Sequence, residues 1–154
     1  MILSKTTLAL LVMASTAFTF LSRHTTTTVT TDYIPFLVKT DQQTDLQKSI
    51  AAGKEVYADF CMQCHQATGK GSGTSFPPLD GSDWLKNKRT ESIHAVKYGQ
   101  KGAITVNGKK FNSMMPSMGL SDEEVADVMN YIMNSWTNKQ SKMVTAKEVA
   151  LVKK

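Results

Sequence analysis

The chain has 154 residues, 41% of them hydrophobic and 20% charged, which is material for one globular domain plus appendages. Its formal charge of +5 falls to +3 once Lys5 and Arg23, both in the leader region, are set aside. The body is therefore only mildly basic, and its charge does not indicate nucleic-acid binding. A basic face for docking an acidic partner stays compatible with it.

Residues 1–22 read as a signal peptide or N-terminal anchor. Lys5 supplies a positive start, Thr6 to Leu21 carries no charge, and the small residues Ser15 and Ala17 predict cleavage after Ala17. The uncharged run is short against the ~20 apolar residues that cross a bilayer. An uncleaved anchor is the alternative. With no cysteine nearby, lipid attachment through a thiol is excluded. Residues 23–44 then read as a threonine-rich linker, since Thr25 to Thr28, Thr30 and Thr31 cannot build a core. The more apolar Tyr33 to Val38 suits either an extended segment packed on the domain or a partner contact, and the sequence leaves both open.

A domain is expected over residues 45–138. Its first helix is predicted from Asp45 to Cys64, because Leu46, Ile50, Gly53, Tyr57, Phe60, Cys61 and Cys64 recur on one helical face. Gly53 on that face costs helix propensity, which makes sense where a second helix backbone crosses closely. The helix runs into Cys61-Met62-Gln63-Cys64-His65, which uses both cysteines of the chain. Two thiols at this spacing can each add across a vinyl group on one edge of a porphyrin, and the histidine that follows can sit beneath the iron. That is the c-type haem attachment pattern. A thioredoxin-like pair would want a βαβ context that these helical flanks do not supply. A structural zinc site would need two further ligands, and only His24 and His94 remain as histidines.

Gly69-Lys70-Gly71-Ser72-Gly73 suits a turn around a haem edge better than a nucleotide loop, because no strand precedes it. In Phe76-Pro77-Pro78-Leu79-Asp80-Gly81 the prolines fix an extended backbone. A carbonyl presented there can accept the Nδ1–H of His65 and orient the ring. Thr90 is expected to cap a short helix ending at Tyr98 and Gly99, carrying His94 as a competing axial ligand or, more simply, as a surface histidine. Ile104 to Phe111, with Asn107-Gly108 at its centre, reads as a β-hairpin. The last helix carries a Ser121–Glu124 capping box, a Leu120–Val125 staple and an apolar stripe of Val125, Val128, Met129, Ile132, Met133 and Trp136. Residues 139–154 read as a solvated, partly helical tail with Lys139, Lys142, Lys147, Lys153 and Lys154. Docking or membrane-surface contact is its minority reading.

With these blocks in place, residues 45–138 resemble a class I monohaem cytochrome c. The segment Ala52 to Tyr57, the Pro77-Pro78-Leu79-Asp80-Gly81 loop and the Leu120 to Tyr131 helix match in order. Gly102 to Asn107-Gly108 and on to Met115-Pro116 resembles the variant in bacterial domains fused to nitrite reductases and dehydrogenases. The resemblance implies an all-α cytochrome c fold with a small hairpin before a methionine loop. It also implies one covalent haem c on Cys61 and Cys64, Pro77 as the carbonyl bonded to His65, and Val128 and Tyr131 crossing Gly53 and Tyr57. It implies maturation outside the bacterial cytoplasm, hence a periplasmic or extracytoplasmic protein, membrane-anchored if the leader stays.

For the second axial ligand, the nine methionines divide by place. Met1 and Met13 fall in the leader, Met62 in the attachment motif, Met143 in the tail, and Met129 and Met133 on the core stripe. Met114, Met115 and Met118 remain on the loop before the last helix. Met115 precedes Pro116, matches the family's Met-Pro position and is the choice, with Met114 next. A thioether raises the potential relative to a second imidazole and leaves no open coordination position. The expectation is an electron carrier, not an enzyme, serving redox protein partners such as an oxidase, reductase or dehydrogenase. Lys70, Lys101 and Lys109 are candidates for steering an acidic partner. A haem c subunit of a membrane-bound complex is the alternative, and a haem enzyme or gas sensor with a labile sixth ligand is a further rival.

Overall fold

The computed structural model describes residues 34–154, with side chains from Asp45 onward. Six helices and a two-stranded hairpin follow in order: α1 Ile34–Phe60, α2 Met62–His65, α3 Asp83–Asn87, α4 Arg89–Tyr98, β1 Ile104–Val106, β2 Lys109–Phe111, α5 Asp122–Ile132 and α6 Ala146–Leu151. The expected helix-dominated architecture is present. The strands pair antiparallel with Val106 opposite Lys109, and positive φ at Asn107 and Gly108 gives the tight turn that Asn-Gly favours. The predicted leader, including the expected cleavage after Ala17, lies outside the described residues.

The main packing event is the crossing of α1 and α5. A Cβ on Gly53 would collide with the carbonyl of Asp127 and stand 2.8 Å from the amide nitrogen of Val128, so only glycine admits the two backbones at this distance. Tyr57, one turn on, packs its ring 5.3 Å from that of Tyr131. Helix α5 starts as predicted, with Ser121 accepting from the Glu124 amide and Glu124 accepting from the Ser121 amide. Its inward face, Val125, Val128, Met129 and Ile132, is buried at the centre of the core. Trp136 lies beyond the helix end and packs edge-on against Tyr57.

Three boundaries differ from the sequence-based expectations. Helix α1 begins at Ile34 rather than Asp45, so the backbone of 34–44 is helical instead of linker. Pro35 falls in the first turn, where its missing N–H is unneeded, and no proline or glycine interrupts the run before Gly53. Thr90 does not cap α4. That helix starts at Arg89 with Lys88 at the cap and no capping side chain, while Ser92 donates back to the Lys88 carbonyl. Ser82 caps the short α3, an element without a sequence-based expectation.

The third difference is the largest. Residues 139–154 are not a solvated tail. Val144 and Val149 are fully buried, Val152 nearly so, and Thr145 caps α6. Asn130 donates to Ser49 Oγ and the Val144 carbonyl, both at 2.8 Å, and accepts from the Val144 amide at 2.7 Å. Arg89 pairs bidentately with Glu148 at 2.6 and 2.8 Å and donates to the Lys142 and Met143 carbonyls. Five lysines hid this docking, because the apolar groups between them have no regular period.

Candidate functional site

The haem-attachment motif sits where α1 stops. The Cys61 amide still bonds to the Tyr57 carbonyl at 3.0 Å, and the His65 amide closes the next turn on the Cys61 carbonyl at 2.9 Å. The turn points His65 inward, 7% exposed, while Cys61 is half-buried and Cys64 exposed. The chain then reverses at Gln66, whose carbonyl accepts the buried Tyr57 hydroxyl at 2.6 Å. Trp136 ties the same loop down through Nε1–H to the Ala67 carbonyl at 3.0 Å. The sequence places Tyr57 and Trp136 on apolar helical faces but does not assign them this anchoring of the loop. Their signal was the aromatic pair itself, since Tyr and Trp bury their rings only where the polar tip finds an acceptor.

The Gly69–Gly81 segment brings the proline loop beneath the histidine. Gly69 accepts from both the Leu79 and Asp80 amides, at 2.7 and 2.9 Å, and the Gly71 amide bonds to the His65 carbonyl at 3.1 Å. Gly71 has φ +65, and a Cβ there would lie 2.7 Å from the Pro77 carbonyl oxygen and closer still to that of Phe76, so the close approach of the two segments depends on it. The result is the predicted contact: His65 Nδ1 lies 3.0 Å from the Pro77 carbonyl oxygen. A carbonyl only accepts, so Nδ1 carries the proton and Nε2 presents its lone pair. Burial lowers the affinity of the ring for a second proton, with the Pro77 bond opposing in part.

His65 opens on a cavity of about 1250 Å³, counting its mouth. Cys61 and Cys64 line it together with His65, and loop residues Met114, Met115 and Met118 line it as well. Its remaining wall is largely apolar, with Leu79, Leu85, Val106, Phe111, Val128 and Ile132. Met115 is half-buried and exchanges both backbone hydrogen bonds with Gln100, at 2.8 and 2.9 Å, whereas Met114 is 66% exposed. Met129 and Met133 are core residues, as expected. His94 does not line this cavity. Its ring packs tilted against that of Tyr98, centroids 5.3 Å apart, and it borders a separate surface groove. His24 lies outside the described residues.

The competing readings of the two thiols fare poorly against this geometry. Burial, with the neighbouring Cys64, pushes the Cys61 thiol up to about 11, whereas a redox-active thiol needs a lowered value. Among the described residues no cluster of three or more His, Cys, Asp or Glu side chains could hold a bare ion. An oriented imidazole, two adjacent free thiols and a methionine loop around one large apolar cavity do fit an iron porphyrin held through thioether links.

Helices folded about such a cavity define a c-type haem protein. The cytochrome c family model matches residues 50–136, and the chain belongs to that family. It is 40% identical over 108 residues to a cytochrome c-552 of Thermus thermophilus, covering 64% of this chain and 82% of that protein. It is 36% identical over 110 residues to a gluconate 2-dehydrogenase cytochrome c subunit of Pantoea cypripedii, covering 66% of this chain and 24% of the subunit. With the FixP subunit of a cbb3-type cytochrome c oxidase from Sinorhizobium medicae it shares 31% over 91 residues, covering 57% of this chain and 30% of the subunit. The protein is thus a cytochrome c with covalently bound haem, of a family that carries electrons.

Proposed function

We propose that this cytochrome passes single electrons between exported redox proteins and performs no bond chemistry of its own. Cys61 and Cys64 would form the thioether links, and His65 and Met115 would hold the iron. The bound haem supplies a one-electron iron couple. The chain supplies rigidity. His65 is held by Pro77, and the loop below it by Tyr57 and Trp136, so one axial side is preorganised before any ligand arrives. The observation that carries the reading is His65 Nδ1 fixed on the Pro77 carbonyl, which leaves Nε2 directed into a cavity shared with both thiols and Met115.

Met115 is preferred to Met114 because its backbone is pinned on both sides while Met114 faces solvent. A ligand on a fixed backbone reorganises less when the iron changes charge. Apolar burial and a thioether both favour the reduced state and raise the potential. Phe60, 43% exposed, and Met114 both border the cavity, so the same opening offers apolar contact to a partner. Lys109 is a weaker steering candidate than Lys70 or Lys101, because its ammonium donates to the Gly73 carbonyl at 2.7 Å.

A second reading, a haem subunit held in a larger complex, draws on the likeness to subunits of dehydrogenases and oxidases. Among the described residues no helix is long and apolar enough to cross a membrane; residues 1–22, read as a signal peptide or anchor, lie outside them. The test is spectroscopic. Ferric protein should show the weak far-red band of methionine ligation, Met115→Ala should abolish it, and Met114→Ala should keep it. The reverse pattern would overturn the ligand assignment. Haem protein co-purifying from membranes with an oxidase or dehydrogenase would favour the subunit reading.

A further inference from the structure

Lys97 joins parts of the molecule that are distant in sequence. Its ammonium, on a side chain only 15% exposed, donates to the Asp122 carboxylate at 2.7 Å and to the Val149 carbonyl at 3.0 Å. Its own carbonyl accepts from the Ser117 hydroxyl at 2.8 Å. Asp122 is the first residue of α5 and ends the methionine loop, while Ser117 lies in the middle of that loop, two positions past Met115. Val149 belongs to the docked C-terminal segment. One residue therefore touches the loop at Ser117, the start of α5 at Asp122 and the C-terminal segment at Val149.

Residues 112–120 form no helix or strand, and an irregular segment without anchors opens locally at little cost. The polar anchors of this loop converge on residues 97–100. Met115 pairs with Gln100 through both backbone groups, and Ser117 holds the Lys97 carbonyl. That last turn of α4 is in turn held from the C-terminal segment, by Lys97 to Val149 and by the Tyr98 hydroxyl to the Val152 carbonyl at 3.2 Å. The far end of α4 is clamped to the same segment through Arg89 and Glu148.

We propose that the C-terminal segment Lys142–Val152 is a strap that, acting through Lys97 and the last turn of α4, holds Met115 in place as axial ligand. Lys97 is on this view a positioning residue. The proposal rests on the assignment of Met115 as ligand. Loosening Lys97 raises the population of loop-open protein, and a competing ligand reads that population directly, because its apparent dissociation constant scales inversely with the competent fraction.

The test titrates the ferric holo-protein with imidazole and follows the far-red band and the midpoint potential. Lys97→Met, which keeps the stem but loses both ammonium bonds, should tighten apparent imidazole binding about tenfold, reflecting a tenfold larger open fraction. Ser117→Ala should act in the same direction, and the double variant should gain less than the product of the two because they share one path. Thr137→Ala removes a hydroxyl bonded to Asp80 on the histidine side. It lowers global stability there and should leave imidazole binding unchanged. If Lys97→Met fails to yield coloured protein, Tyr98→Phe replaces it, since that change removes a bond from the last turn of α4 to the strap and keeps the ring.

Unchanged imidazole affinity in Lys97→Met and Ser117→Ala would overturn the inference. So would an equal gain in Thr137→Ala, which would trace the effect to global stability. Met115→Ala separates the two readings. If it keeps the far-red band, the ligand assignment has failed. If it loses the band while the Lys97 and Ser117 variants stay closed, only the strap has failed.

Discussion

Gly53→Ala sets two effects of opposite sign against each other. Alanine is the better helix former by about 1 kcal/mol, so an isolated helix would gain. In the folded protein the new methyl would meet the Asp127 carbonyl and the Val128 amide, the latter at 2.8 Å, and neither can move aside as a rotamer could. The α1–α5 crossing must widen, and its buried contacts, including Tyr57 and Val125, lose dispersion contact together. Overpacking of this kind costs about 1–3 kcal/mol, and a backbone-to-backbone clash belongs at the upper end. The net loss is about 2 kcal/mol, which for a domain of this size lowers the thermal midpoint by roughly 8 °C. Thermal unfolding of the holo-protein, followed by circular dichroism, measures it. Ala52→Gly, at the exposed neighbouring position, isolates propensity and should cost about 1 kcal/mol. A Gly53→Ala protein as stable as the parent would refute the crossing.

Two further outcomes follow from charge. The Arg89 guanidinium holds the Glu148 carboxyl below its ordinary value of 4.5, partly opposed by burial. A depressed carboxylate stabilises the fold above the unfolded-state value and loses that contribution as pH falls through the folded one. Denaturant midpoints of wild type and Glu148→Gln should therefore differ at pH 7 and converge as pH falls below about 4.5; a gap that is constant with pH would remove the ion pair from the account. For steering, an anionic reductant such as ascorbate should react more slowly as salt rises and more slowly with Lys70→Glu or Lys101→Glu, while a neutral hydroquinone should not respond. A flat rate for ascorbate would mean that these lysines are merely solvated.

How far the sequence could be read depended on whether the relevant interactions were local. The attachment motif, the Ser121–Glu124 capping box and the Asn107-Gly108 turn each close their bonds within a few residues, so their spacing was sufficient evidence. Gly53 was legible for a related reason: a glycine on an apolar helical face has few purposes other than a close crossing. The choice of Pro77 needed a family resemblance, because Pro77 and Pro78 are equally extended and the fold alone brings the Pro77 carbonyl to His65.

The C-terminal segment marks the other side of that division. Helix α6 has six residues, too few to form by propensity in water, and its stability comes from packing. Val144, Val149 and Val152 acquire an apolar partner only when α4 and α5 are already assembled, and the carbonyls between them are satisfied by Arg89, Lys97 and Asn130. Short-range pattern thus determined that the chain carries a covalent haem on a helical frame. Tertiary structure alone decided that its lysine-rich end is part of that frame, because the free energy holding it there lies in contacts between residues some fifty positions apart.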